Sequence, residues 1–174
     1  MEQMYLEMVQ REFRRLKSLA DQAIAQVDDA SFFALLGNEE NSIAIVVKHM
    51  AGNMISRWTD FLTTDGEKPD RNRDAEFIIT AAGGRTQWME YWERGWACLL
   101  ETLAGLEPQD LSKTVTIRGE ALGVMQAIER QVSHYAYHVG QIVLLAKHYA
   151  AGNWKTLSIA RGASGAFNAQ DRKS

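Results

Sequence analysis

The chain carries one cysteine, Cys98, in 174 residues, so it forms no internal disulfide. That suits a reducing compartment, where disulfides are scarce. It has only two prolines, Pro69 and Pro108, both in polar stretches, which leaves long segments free of the residue that interrupts helices. It has no excess of base: Lys and Arg number 19 against 22 Asp and Glu, a formal net charge of −3. Duplex binding usually needs a basic face, so nucleic acid is not an expected partner. No apolar run approaches the ~20 residues of a membrane-spanning helix. The opening "MEQMYLEMVQREFRR" mixes acids and bases and lacks the apolar region of a signal peptide. A cytoplasmic protein with no membrane segment is therefore expected. Internal repeats and low-complexity segments are also absent.

The composition that remains, 46% hydrophobic and 24% charged, is that of a globular protein able to bury a sizeable core. The length fits one domain over residues 1–174, with "AQDRKS" (169–174) as a frayed tail. Helical spacing dominates. A first helix is predicted over about 3–27, with Tyr5, Met8, Val9, Phe13, Leu16, Leu19 and Ile24 near one face. A second, capped by Asn41 or Ser42, carries "SIAIVVKHMAGNMISRWTDFL" to about 62. "TTDGEKPDRNRD" is a polar connection with turn signals. A third helix is predicted over 84–105, with Trp88, Trp92, Trp96, Leu99 and Leu103 along one face and a break at Gly83 and Gly84 before it. "KTVTIRG" alternates and is β-branched, which predicts a short hairpin or extended strand. The fourth helix spans 121–151, with Met125, Ile128, Val132, Tyr135, Val139, Ile142, Ala146 and Tyr149 as its core stripe. Beyond Gly152 the chain reads as irregular, packing back through Trp154 and Leu157. Four long amphipathic helices argue for an all-α, four-helix bundle. The long second connection makes up-down-down-up order as plausible as simple up-down.

Two of the four histidines, His134 and His138, sit four residues apart in "SHYAYHVGQIVLL". Positions i and i+4 share a helix face, about 6 Å apart along the axis, so the two imidazoles project toward a common point. Neutral imidazole is the commonest protein ligand for zinc and suits nickel, iron and copper. The pair lies at the edge of the apolar stripe, where an open site between facing helices would form. Gln141 continues the row and is placed to hydrogen-bond behind it. Two ligands hold an ion weakly. His148 is roughly 15 Å farther along a straight helix and cannot join. His49, on the second helix, can, if that helix faces the fourth. The plainer reading is a pair of half-buried, hydrogen-bonding imidazoles. The pair lacks the glutamate of a zincin helix and the Glu-x-x-His motifs of a di-iron bundle.

"HYAYHVGQI" and "HMAGN" resemble the DinB-like (YfiT-like) superfamily of metal-dependent bacterial proteins. "NSIAIVVKHMAGNMISRW", "YWERGW" and "WKTLSIARGASGAFN" resemble one of its subgroups, itself of unknown function. The resemblance covers nearly the whole chain. It implies a four-helix bundle, often up-down-down-up, and frequently a homodimer. It implies a metal triad at His49, His134 and His138 holding one divalent transition ion, with zinc and nickel both suited. Asn53 and Tyr137 join Gln141 as candidates for the surrounding pocket. Characterised relatives attach low-molecular-weight thiols to electrophiles, or isomerise with a thiol's help. The expected function is thus a metal-dependent thiol S-transferase acting on a small molecule. A non-catalytic metal- or small-ligand-binding dimer, and a hydrolase using a metal-bound water, stand as alternatives.

Other features have plainer readings. The tryptophans read as core or dimer-interface residues before pocket walls, and Cys98 as a small apolar residue before a nucleophile. "AAGGRT" reads as a loop and cap before an anion cradle, and "KPDRNRD" as a solvated loop that could border the site. Nothing in the sequence decides whether Arg161 binds an anionic cosubstrate.

Overall fold

Apolar residues returning every three or four positions make α1 (Glu2–Ile24), whose Leu6, Val9, Phe13, Leu16, Ala20 and Ala23 are buried. In the computed structural model, which describes residues 1–37, 40–79 and 83–171, Met8 instead points outward. A single turn, α2 (Asp29–Phe33), follows. α3 (Ile43–Trp58) begins where the Ser42 hydroxyl accepts the Ile45 N–H at 3.2 Å. It is apolar almost all round and buried almost all round, as a central helix must be. It stops four residues short of the predicted end. Thr59 turns extended and Asp60 takes a left-handed φ of 49°, so Phe61 and Leu62 reach the apolar interior from a turn.

α4 (Gly84–Gly105) presents Trp92, Gly95, Trp96, Leu99 and Leu103 inward. A β-carbon on Gly95 would lie 2.9 Å from the Ala51 Cα, so this glycine lets α3 and α4 pack backbone to backbone. Trp88 is only partly buried. The hairpin forms as β1 (Thr114–Ile117) and β2 (Glu120–Gly123), with Thr114 opposite Gly123 and Ile117 opposite Glu120. Its two-residue turn places Arg118 and Gly119 at φ 56° and 77°, the left-handed pair that matches strand twist. These strands take residues assigned from sequence to the fourth helix, so α5 runs Val124–Ala150. At its first turn Val124 and Ala127 face inward and Met125 does not; Val132 and Tyr149 are partly buried, and the rest of the predicted stripe is buried.

Past α5, Trp154 and Leu157 pack on the core, but Ser164–Asp171 forms a further helix, α6, where irregular chain was expected. The predicted break at Gly83 and Gly84 falls where α4 begins, with Gly84 at a left-handed φ of 64°; the last three residues of the predicted tail lie outside the described residues.

α1 packs along α5, α3 along α4, and α3 also against α5, with lighter contact between α1 and α4. The buried apolar side chains form one cluster reaching all four long helices. Its centre is aromatic: Phe13 meets Trp58 edge-on at 5.9 Å, and the Trp58 indole N–H donates to the Tyr135 hydroxyl at 3.2 Å. Among the described residues, no helix is long and apolar enough to cross a membrane.

Candidate metal centre

The α3–α5 contact brings His49 to the histidine pair. His49 and His134 ring centroids lie 5.6 Å apart, His49 and His138 4.9 Å, and His134 and His138 4.7 Å. One ring nitrogen from each can be chosen so that all lie within 4.8 Å of one another. The Nε2 atoms of His134 and His138 are 3.1 Å apart. Two ligands on one tetrahedral ion, with bonds of about 2.1 Å, stand roughly 3.4 Å apart. The donor set is therefore compatible with a divalent metal ion.

The hydrogen bonds behind the rings sharpen that fit. His49 Nδ1 faces Glu76 Oε2 at 2.8 Å. A carboxylate only accepts, so the proton sits on Nδ1 and the Nε2 lone pair is free. His138 Nδ1 likewise donates to Gln141 Oε1 at 2.8 Å, leaving its Nε2 lone pair toward His134. A carboxylate or amide oxygen behind a ligating imidazole is the usual means of fixing tautomer and orientation. His134 Nε2 can then give its proton to the close contact with His138, or hold a cation in that proton's place.

Burial sets the charge state. It pushes the His134 imidazole down to about 3, assisted by the positive fields of His138, His49 and two arginines. It pushes His138 down to about 4, against the opposing hydrogen bond to Gln141. Both rings are neutral at pH 7, the state a metal ligand requires. Burial pushes the Glu76 carboxyl up, but hydrogen bonds from His49 and Arg71 outweigh it and hold it below the usual range.

Glu76 is itself clamped. Arg71 donates Nε to Oε1 at 2.7 Å and NH2 to Oε2 at 2.8 Å, a bidentate pair with both side chains more than nine-tenths buried. Gly52 admits it: a β-carbon there would lie 3.0 Å from the Glu76 carboxyl carbon and 3.2 Å from the Tyr91 hydroxyl. Arg71 continues to Glu67, which also pairs with Arg57 at 2.9 Å and Arg118 at 3.1 Å. Asp65 ties this loop to the hairpin, accepting the backbone N–H groups of Arg118 and Gly119 at 2.9 and 2.8 Å.

Above the histidines is a cavity of about 210 Å³, lined by His49, His134, Asn53 and Tyr137 among others. Asn53 is buried and accepts the Tyr135 hydroxyl at 2.9 Å. Tyr137 is half exposed, with its ring 4.0 Å from that of His138. Phe77 stacks on His49 at 4.9 Å from the other side. His148 is exposed, with its ring 5.0 Å from that of Tyr149. Cys98 is half-buried beside Thr59 and does not line the cavity, nor does Arg161.

Residues 1–163 match a family described as a protein of unknown function, DUF1572. The chain belongs to the DUF1572 family. The matched span includes all three histidines, Glu76, Arg71 and the hairpin, and ends just before α6. No curated protein matches this DUF1572 chain.

Sequence reasoning missed Glu76 and the roles of Arg71 and Arg57. Arg71 belongs to "KPDRNRD", read as a solvated loop, yet its side chain is only 5% exposed. Glu76 lies in a short 3-10 turn, Asp74–Phe77, and carries no periodicity to betray it. The one usable signal was a glycine, Gly52, in the interior of a long helix.

Proposed function

We propose that this chain is a DinB-like (YfiT-like) bundle of four helices in up-down-down-up order. In this reading it holds one divalent transition ion, zinc or nickel, on His49, His134 and His138. It uses that ion to activate a low-molecular-weight thiol for transfer to a small electrophile, working as a cytoplasmic homodimer. The convergence of three imidazoles beneath an open cavity carries this reading. The pairing of α1 with α5 and of α3 with α4, and the long chain from Thr59 to Gly83, support the topology. A divalent ion with an open position lowers the pKa of a coordinating thiol toward neutrality. The chain's own residues do the rest. Glu76 and Gln141 hold two imidazoles in one tautomer, Phe77 and Tyr137 flank the rings and limit water, and the cavity orients what enters.

A hydrolase finds less support here. Both Glu76 oxygens are engaged by Arg71 and His49, and no carboxylate lines the cavity among the described residues, so a general base for water is lacking.

Elemental analysis of metal-replete protein is expected to give about one divalent ion per chain. His134→Ala and His49→Ala should each strip it. Metal-loaded protein should then conjugate small thiols to an aryl halide, and the chelated protein should not. Bound metal without turnover across a panel of thiols and electrophiles would leave a non-catalytic metal-binding protein. Absence of metal in the wild type would end the reading.

A further inference from the structure

We infer that the cavity over the histidines takes a small molecule bearing an oxyanion, a carboxylate or a phosphate, and that Arg73 and Arg130 are the residues that bind it. The inference rests on the site proposed above and adds the class of substrate or cosubstrate.

Charge distribution is the first ground. Arg57, Arg71, Arg73, Arg118 and Arg130 all line this one cavity, and no carboxylate does among the described residues. Glu67 and Glu76, which do not line the cavity, engage Arg57, Arg71 and Arg118. Five guanidinium groups therefore meet two carboxylates, in a chain whose formal net charge is −3. Structural ion pairing accounts for three of the arginines. It does not account for Arg73 or Arg130, which make no ion pair among the described residues.

Placement is the second ground. The Arg73 guanidinium lies 5.0 Å from the Phe77 ring centroid, and Phe77 stacks on His49. A flexible cation is thereby held one ring away from the donor set. Arg130 precedes His134 by four positions on α5 and so shares its face. Arg118, half exposed, borders the same space from a left-handed turn position that non-glycine residues rarely adopt. Guanidinium is a planar fork matched to carboxylate and phosphate, and it keeps its charge at every relevant pH.

Gln131 supplies an independent observation. It lines the cavity, is 4% exposed, and its Oε1 has no hydrogen-bond partner. A buried amide left unsatisfied is costly. A ligand in the cavity would relieve it. The amide accepts from a ligand hydroxyl or amine as it stands, or donates to an oxyanion when turned over. The space of about 210 Å³ suits a compact charged group or the anionic end of a longer molecule, with the rest leaving past Tyr137.

The test is titration calorimetry on the metal-loaded full chain with succinate, inorganic phosphate and neutral succinamide at matched ionic strength. Saturable binding of succinate or phosphate, without binding of succinamide, is expected. Arg73→Gln with Arg130→Gln should weaken it roughly ten-fold or more, at unchanged metal content and unchanged thermal midpoint. Arg11→Ala, remote on α1, should change nothing. Equal binding of succinamide, equal affinity in the double variant, or no response to either anion would each overturn the inference. Metal content is read separately: anion binding by a chain that holds no metal would sink the proposed function and leave the anion site standing. Preference for succinate over phosphate, or the reverse, tells which oxyanion the fork is shaped for.

Discussion

Glu76 and Gly52 form a coupled pair whose chemistry can be separated by substitution. Glu76 fixes the His49 tautomer, so Glu76→Gln is expected to weaken metal binding about 10- to 100-fold, as loss of a partner behind a metal ligand does. Competition against a chelator of known affinity measures this. Gly52 lies inside a helix, where alanine ordinarily stabilises by roughly 0.5–1 kcal/mol. Here the added carbon meets the Tyr91 hydroxyl and the Glu76 carboxyl, the latter held by His49 and Arg71. Gly52→Ala is therefore expected to lower the urea midpoint and weaken metal binding together. A stabilised variant with intact metal affinity would show that the carboxylate moves freely.

α3 carries His49, Asn53 and Arg57 on successive turns, so its start sets the register of half the site. Ser42→Ala removes the hydroxyl that caps Ile45 and should cost about 1 kcal/mol, read by chemical denaturation, without displacing metal. The loop and hairpin form a second unit around Asp65, whose carboxylate takes backbone N–H groups from Glu67, Arg118 and Gly119. Asp65→Ala is expected to destabilise the hairpin and to disturb Arg118, leaving the three histidines in place. Metal content should hold while anion affinity falls. Joint loss of both would mean that the hairpin also supports α5, which starts directly at its end.

Across the chain, the neutral histidines make stability depend on acid. His134 and His138 hold their protons only near pH 3 and 4 when folded, against an ordinary value of 6.5. Below about 6.5 the unfolded chain therefore binds protons that the folded chain refuses. Stability from these groups is full above pH 6.5 and is lost as pH falls toward 4. Thermal midpoints of metal-free protein should drop between pH 7.5 and 5, and less so in a His134→Ala, His138→Ala variant. A slope that the variant leaves unchanged would place the acid sensitivity elsewhere. Bound metal should raise the midpoint at neutral pH and steepen the loss in acid, because protons and metal compete for the same lone pairs.

Helix content, the hairpin and the histidine pair could be read along the chain, because each is written in local periods: 3.6 for the four long helices, 2 for "TVTI", and four residues from His134 to His138. The spacing also excluded His148 on length alone. Helix ends were less legible. Phe61 and Leu62 continue an apolar pattern through a turn that backbone geometry imposes, and "EALG" pairs with a strand instead of extending α5. Glu76 and Arg71 were beyond reach of any period. They are separated from the histidines by more than twenty residues and lie on an apparently polar loop, and they matter only through burial and direction. Local sequence can say which face a side chain shares with its near neighbours. Only the packing of α3 against α5, and the fold of the 59–79 loop over them, brings distant polar groups within hydrogen-bonding distance and strips away the water that would otherwise satisfy them.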